Sequence, residues 1–248
     1  MTYKPADAVK FTFGNFMTFV GYELVEASNN LNYSMSYNYT NGPFFHTGFK
    51  VDFALSDKLS LMVGVFEPTD TKFYNNNVSK GKLNVGGQLA YVNGGFKMYL
   101  NALSGKSHNP LGLNTAGIDP ITSGVNVLDL TASYQISQKV GAGLNILNKS
   151  AKLSDKSTAT RDAFTGYALY LNYAATDKFT LAARGEYFDD SKGVALLGSK
   201  ITAFTLSGNF KVDALTIIPE IRIDSAKDKI FNGKSSETAF ILAGVYKF

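Results

Sequence analysis

The feature that most constrains the fold is an alternation of apolar and polar residues within segments about ten residues long. In segment 214–224 the apolar face comprises Leu215, Ile217, Pro219, Ile221 and Ile223. The opposite face is polar apart from Ile218 and comprises Thr216, Glu220, Arg222 and Asp224. Because successive side chains of a strand point to opposite sides of a sheet, this period of two predicts a β-strand with one apolar face.

The same period predicts twelve strands, near 8–19, 44–56, 58–66, 83–93, 95–103, 126–136, 138–147, 165–175, 178–188, 200–211, 214–224 and 237–248. Most are roughly nine to twelve residues long, the length that a tilted strand needs to cross a bilayer. Strands of soluble proteins average about five or six residues. No run of about 18 apolar residues occurs, which excludes a transmembrane helix.

The connections between these segments alternate between short and long. The short turns are 56–58, 93–95, 137–138, 176–178 and 211–213. The long connections fall near 20–43, 67–82, 104–124, 148–164, 189–199 and 225–236. This alternation is typical of an outer-membrane barrel, which has tight periplasmic turns and longer outer loops. An even number of strands would place both ends of the chain on the periplasmic side.

Composition and aromatic positions favour a membrane over water. Aromatic residues make up 13% of the chain, and charged residues only 18%, below the roughly 25% of a soluble domain. Tyrosines recur near strand ends, as an interfacial girdle requires: Tyr91, Tyr134, Tyr173, Tyr187 and Tyr246. A sheet in hydrocarbon must close on itself to satisfy its backbone.

We therefore predict an all-β fold, a transmembrane antiparallel up-and-down β-barrel of twelve strands, with residues 1–248 as one domain. The predicted location is the bacterial outer membrane. The N-terminus has no apolar segment of the signal-peptide type, so we expect that a signal peptide has been removed. A soluble all-β fold, with the apolar face turned inward, is the alternative.

A block near the N-terminus resembles a known family. It reads Lys10-Phe-Thr-Phe-Gly14, then Gly21-Tyr22-Glu23, then Ser34-Met-Ser36-Tyr37, and finally Pro43-Phe-Phe-His46-Thr47-Gly48. This order of motifs is similar to that of the OmpL-like β-barrel porin family of bacterial outer membranes, and it covers about forty residues. The resemblance implies a porin-like channel and names no solute. Family members are usually longer, with strands before this block, and the even strand count favours a short barrel that closes with twelve.

Several function classes find no support in the residues. The net charge of +4 comes without a run of Lys or Arg, so no nucleic-acid partner is expected. The chain has no cysteine and two histidines, so we predict no metal site and no cofactor. A rival function is lipid hydrolysis, which needs Ser and His within hydrogen-bond reach. No Gly-x-Ser-x-Gly motif occurs and His46 is predicted to face inward, so we predict no enzyme activity.

Loop 20–43 is long enough to suggest a function. We expect it to fold into the lumen as the constriction of a channel, with Glu23 and Glu26 as its charged members; an exposed outer loop is the alternative. The alternation also predicts pore-lining residues on the strands, namely His46, Lys50, Asp52, Lys97, Asp129, Arg184, Glu186, Glu220 and Arg222. Their charges could either pair as a cross-strand ladder or act as a selective filter.

The sequence thus predicts a porin-like channel for passive diffusion of small hydrophilic solutes or ions, in contact with outer-membrane lipid. The alternative is a barrel plugged by its own side chains that serves as a structural or partner-binding subunit of a larger envelope complex. Tyr99, Tyr170 and Phe188 are predicted to point inward and could block the lumen. A homo-oligomer is a further expectation.

Overall fold

The computed structural model describes residues 1–70, 83–108, 121–151 and 162–247. Thirteen strands form one antiparallel sheet in which each strand pairs with its neighbours in sequence. They are β1 Thr2–Ala6, β2 Val9–Met17, β3 Phe45–Ala54, β4 Leu59–Phe66, β5 Asn84–Asn93, β6 Phe96–His108, β7 Ile121–Gln135, β8 Val140–Ala151, β9 Asp162–Thr176, β10 Phe179–Asp189, β11 Lys200–Val212, β12 Leu215–Ala226 and β13 Ser236–Tyr246. Among the described residues, no helix is long and apolar enough to span a membrane.

The predicted all-β, antiparallel, up-and-down architecture is confirmed, but the strand count of twelve is wrong. The additional strand is β1, in which Thr2 pairs with Thr12 and Ala6 pairs with Val9. All five of its residues are exposed, so no apolar face marks it in the sequence and backbone pairing alone defines it. Within the described residues β1 and β13 do not pair with each other, so the sheet is open at these two edges.

Several strands extend beyond their predicted ends on the side of the long connections. The strand predicted at 95–103 spans Phe96–His108, and the one predicted at 126–136 spans Ile121–Gln135. The backbone pairing continues into polar residues that hide the alternation. The interiors of three predicted long connections, 71–82, 109–120 and 152–161, lie outside the described residues.

The two faces of the sheet differ as the alternation predicts. Between β11 and β12, Thr205 pairs with Arg222 on the polar face, while Phe204 pairs with Ile223 on the apolar face. The apolar face is exposed along the sheet: Leu169 is 62% exposed at the middle of β9. The polar face is the one against which the connection between β2 and β3 lies, and we call it the inward face.

Tyrosines form a belt on the outward face. Tyr91, Tyr134, Tyr173 and Tyr246 lie near the short-turn ends of their strands, and Tyr187 lies near a long-connection end. Phenylalanines extend the belt: the rings of Phe96 and Tyr134 are 6.3 Å apart, and those of Phe179 and Phe210 are 4.5 Å apart. Such a belt is the anchor that barrels place at the membrane–water interface.

An apolar cluster fills the inward face at the end of the sheet that carries the long connections. Its fully buried members include Phe66, Leu147, Phe164, Phe188 and Ile201. Side chains from the connections after β10 and β12 pack against the cluster, namely Val194, Ala195, Leu197, Ile230 and Phe231. The outer end of the inward face is therefore packed with apolar side chains.

We predict that Leu169→Arg lowers the free energy of unfolding by about 2–4 kcal/mol, because it places a charge at mid-strand on the lipid-facing side. The check is the urea midpoint of the protein folded into lipid vesicles. Leu169→Phe is the matched control and should be close to neutral. Equal stability of the arginine and phenylalanine variants would show that this face does not meet hydrocarbon.

Candidate functional site: an inward loop on the barrel wall

Residues 18–44, between β2 and β3, cross the inward face, and we call them the inward loop. The loop contains a 3-10 turn at Ala27–Asn29 and a short helix, α1, at Tyr37–Asn41. Ser36 caps α1, since its side chain accepts a hydrogen bond from the backbone N–H of Tyr39. Thr18 and Phe19 contact β3, β4 and β5. The rest of the loop lies mainly against strands from β7 to β13.

The tip of the inward loop is held by Glu220 of β12. The backbone N–H groups of Tyr33 and Ser34 donate to the two carboxylate oxygens of Glu220 at 2.7 and 2.9 Å. The Ser207 hydroxyl also donates to Glu220, at 2.6 Å, and itself accepts from Asn32. The carboxylate thus satisfies loop backbone groups that would otherwise be buried without a partner.

Arg184 of β10 is the centre of the contact between loop and wall. Its side chain is completely buried, and its Nη1 lies 2.6 Å from Oε1 of Glu23 while its Nε lies 2.7 Å from Oε1 of Glu186. Nη1 also donates to the carbonyl oxygen of Ser34 at 2.6 Å. The second oxygen of Glu23 accepts from the backbone and hydroxyl of Ser36. Each buried charge therefore has charged or hydrogen-bonding partners.

A second arginine holds the start of α1. Arg222 Nη1 donates to the carbonyl oxygen of Met35 at 2.7 Å, and Arg222 is paired with Asp224 at 2.9 Å. The Tyr37 hydroxyl donates to the same Asp224, and the Tyr37 backbone N–H donates to Glu186 at 2.7 Å. The guanidinium also lies over the Tyr37 ring, 5.1 Å from its centre, a cation–π arrangement.

Asp129 of β7 holds the first arm of the loop. It is fully buried and accepts hydrogen bonds from the backbone of Gly21 at 3.1 Å, from Asn101 at 2.7 Å and from Asn145 at 2.6 Å. Asn145 also accepts from the side chain of Asn38 on α1. Three N–H donors therefore stabilise the carboxylate, and among the described residues it has no cationic partner.

Two inward-facing glycines let the loop lie flat on the wall. A Cβ at Gly143 would overlap the Tyr22 ring, and a Cβ at Gly166 would overlap the Asn38 side chain. The Tyr22 ring stacks on Tyr170, with 4.2 Å between centroids. Close approach of loop and strand requires residues without side chains here.

The buried phenols of the loop remain protonated at neutral pH. Burial raises the pKa of Tyr22, and the neighbouring Glu23 carboxylate raises it further. Burial also raises the pKa of Tyr37, with a further contribution from Asp224. Tyr37 therefore keeps its hydroxyl donor for Asp224.

The opposite side of the interior is different in character. Lys10 of β2 and Lys50 of β3 lie 3.4 and 3.2 Å from Asp52, and the Lys10 side chain is 47% exposed. Lys97 of β6 is also exposed. We call the side chains of Lys10, Lys50, Asp52 and Lys97 the open face, because these charged groups are at least partly exposed.

His46 contributes no recognisable catalytic arrangement. Its Nε2 is 3.0 Å from the Thr18 hydroxyl, and its ring packs among Phe16, Phe19 and Phe66. Its Nδ1 is buried and has no hydrogen-bond partner among the described residues. In that part of the chain no group of three or more His, Asp or Glu residues could hold a metal ion.

The structure therefore divides the predicted site residues into two groups. Those that surround the inward loop are Glu23, Asp129, Arg184, Glu186, Glu220 and Arg222. Those near the open face or apart from the network are Glu26, His46, Lys50, Asp52 and Lys97. Glu26 is exposed, whereas Glu23 is buried. The role of all of these residues in a conducting pore stays a prediction.

Sequence reasoning missed the partner of the strand charges, which is the backbone of the inward loop. It also missed Asn38, Gly143 and Gly166. One signal was present: glycines occupy positions of the inward face where a strand would otherwise carry a side chain, which indicates a close approach by another segment.

A family model described as "Putative beta-barrel porin-2, OmpL-like" matches residues 1–248. The chain belongs to this family. This β-barrel porin family member is an outer-membrane protein, and the family together with the fold supports a channel. The resemblance first indicated by residues 10–48 is confirmed over the whole chain. No curated protein shows significant sequence similarity to it.

Solved structures similar to this porin family member are outer-membrane barrels. They include an outer-membrane-expressed OmpT of Vibrio cholerae, with 14% identity, a TM-score of 0.59 and coverage of 96% of this chain and 75% of that one. An anion-selective porin from Comamonas acidovorans has 13% identity and a TM-score of 0.60, with coverage of 96% of this chain and 70% of that one. Pseudomonas putida OprB has 16% identity and a TM-score of 0.61, with coverage of 98% of this chain and 70% of that one. At these identities the likeness concerns the fold alone.

We predict that Arg184→Ala lowers the free energy of unfolding by about 3–5 kcal/mol, since Glu23 and Glu186 would remain buried without their cation. Urea unfolding in detergent micelles measures the effect. Lys200→Ala is the control, because it removes an ion pair with Asp189 in which both side chains are partly exposed, and it should leave the urea midpoint nearly unchanged. A loss below 1 kcal/mol in Arg184→Ala would contradict the proposed importance of this contact.

Gly143→Val and Gly166→Val should release the inward loop, because the new side chains would displace Tyr22 and Asn38. We expect chymotrypsin to cleave the folded variants faster within residues 18–44 than it cleaves the unmodified protein. Mass spectrometry of the fragments measures this. Gly185→Val is the matched control, since a Cβ at Gly185 meets no atom within 4 Å. Protection equal to that of the unmodified chain would count against a loop held on these glycines.

Proposed function

We propose that the protein is a passive channel for small hydrophilic solutes or ions whose path runs between the inward loop and the open face. The observation that carries this proposal is the asymmetry of the interior. On the side of β7–β12 the loop and the strand charges are packed together and buried. On the side of β2–β6 the side chains of Lys10, Lys50 and Lys97 are at least partly exposed. Water and solutes would follow the second side.

In this proposal the inward loop narrows the channel, and its charges have different tasks. The Glu23 carboxylate is already paired with Arg184 and Ser36, so it would set the position of the loop. Glu26 is exposed and would act on passing ions. The buried residues of β7, β10 and β12 would form the loop-holding ladder, while Lys10, Lys50, Asp52 and Lys97 would determine ion preference.

We also propose a domain organisation, partners and the absence of enzyme activity for the channel. Residues 1–248 would act as one domain and perform no chemistry, and the protein would work with solutes and outer-membrane lipid as its partners. Assembly into a homo-oligomer or an envelope complex stays a prediction, and native mass spectrometry of the detergent-extracted protein tests it.

A second candidate is a plugged barrel that serves as a structural or partner-binding subunit. The apolar cluster around Phe66, Phe164 and Phe188 favours it, because it fills the inward face at the long-connection end. A silent bilayer recording from folded protein would support this candidate over the channel. Stable ohmic current steps would support the channel.

We predict opposite changes of ion preference in two variants of the channel. Lys10→Gln should shift the reversal potential in a salt gradient toward cation preference, and Glu26→Gln should shift it toward anion preference, because local charge sets local ion concentration. Lys58→Gln, in the short β3–β4 turn, is the control and should change little. Reversal potentials that are identical in all three variants would refute the assignment of the path.

A further inference from the structure

A cavity of about 510 Å³ lies between the first half of the inward loop and the inward face of strands β5–β10. Lys97, Ser133 and Asn172, which line it, lie two to four residues from short turns, so the cavity occupies the short-turn side of the loop. Its volume falls within the range of small-molecule sites, roughly 300–1,000 Å³. The apolar cluster lies on the other side of the loop.

The cavity contains polar groups that the protein itself does not use. Tyr22, Tyr99, Ser133 and Asn172 line it, and no described residue makes a hydrogen bond with their side chains. Tyr170 also lines the cavity, and its hydroxyl is buried. These half-buried side chains are therefore free to form hydrogen bonds with water or with a ligand that enters the cavity.

The cavity presents one unpaired cation and one paired carboxylate. Two charged residues line it among those described, Glu23 and Lys97. Glu23 is already bound to Arg184 and Ser36. Lys97 makes no ion pair with any described residue, so its ammonium group is available to a solute. An anion that enters would meet one free cation and no free carboxylate.

We propose that this cavity is a binding site for an acidic sugar, that is, a hydroxyl-rich ring that carries a carboxylate. The proposal rests on the channel function, since the solute would bind while in transit. Lys97 would pair with the carboxylate. Ser133, Asn172 and the tyrosine hydroxyls would bond to the ring hydroxyls, and the three tyrosines would supply flat aromatic surface for the C–H face of the ring.

Two simpler ligands fit the cavity less well. A neutral sugar leaves Lys97 without a partner. A small inorganic anion pairs with Lys97 but leaves the tyrosines and Asn172 unused. The combination of one cation, several uncharged hydrogen-bonding groups and three aromatic rings therefore favours a ligand that has both a carboxylate and hydroxyls.

The test is isothermal titration calorimetry of the detergent-refolded chain with D-glucuronate, D-glucose and inorganic phosphate. D-glucuronate should bind at least about tenfold more tightly than D-glucose, the size of effect expected for a charge-assisted hydrogen bond. Lys97→Gln should abolish that difference, and Asn172→Ala should weaken both sugars. Lys58→Gln, outside the cavity, should bind as the unmodified protein does. Equal affinity for the two sugars, or binding of phosphate as tight as that of D-glucuronate, would overturn the proposal.

Bilayer conductance in potassium chloride separates this site from the channel itself. A conducting protein that shows no heat of binding and no current block by D-glucuronate would refute the site and leave the channel intact. A protein that binds D-glucuronate with the expected Lys97 dependence but conducts no current would support the site and refute the channel. Circular dichroism of each variant verifies that the sheet has folded.

Discussion

The structure depends on how the inward loop is satisfied once it leaves water. A segment of 27 residues, 18–44, brings backbone donors and acceptors against a wall of strands, and each buried group requires a partner. Charged side chains of the strands supply these partners. Glu220 and Glu186 accept hydrogen bonds from loop N–H groups, while Arg184 and Arg222 donate to loop carbonyl oxygens. The strands recognise the main chain of the loop more than its side chains.

This arrangement explains why the charged residues of the interior are unevenly placed. On β10 and β12 the buried arginines and carboxylates lie two residues apart on one face and neutralise one another. Removing one member leaves its partners buried and unpaired, so the network acts as a unit. On β2, β3 and β6 the charges reach solvent, where they cost little to maintain and remain available to ions. In the proposed channel, the buried network would stabilise one side of the interior, and the charges that reach solvent on the other side would set ion selectivity.

The glycines and tyrosines connect this network to the space beneath it. Gly143 allows Tyr22 to lie on the wall, and Tyr22 stacks on Tyr170, so the same contact that positions the loop also builds one side of the cavity. A change in how the loop lies would change the lining of the cavity. If the loop is the constriction and the cavity binds solute, as proposed, the two would be linked through the first ten residues of the loop.

Twelve of the strands, the two faces of the sheet and the membrane setting could be predicted from the sequence, because a period of two and the spacing of turns are local properties of a chain. The sequence did not reveal β1, whose exposed residues Thr2–Ala6 show no apolar face, or the full length of β6 and β7, whose pairing continues into polar residues. Alternation could place Arg184 and Glu220 on the inward face but could not say what they would meet. Only the tertiary structure brings Ser34, some 150 residues away in sequence, to Arg184, because that contact depends on the path of an irregular loop, and no periodic pattern encodes that path.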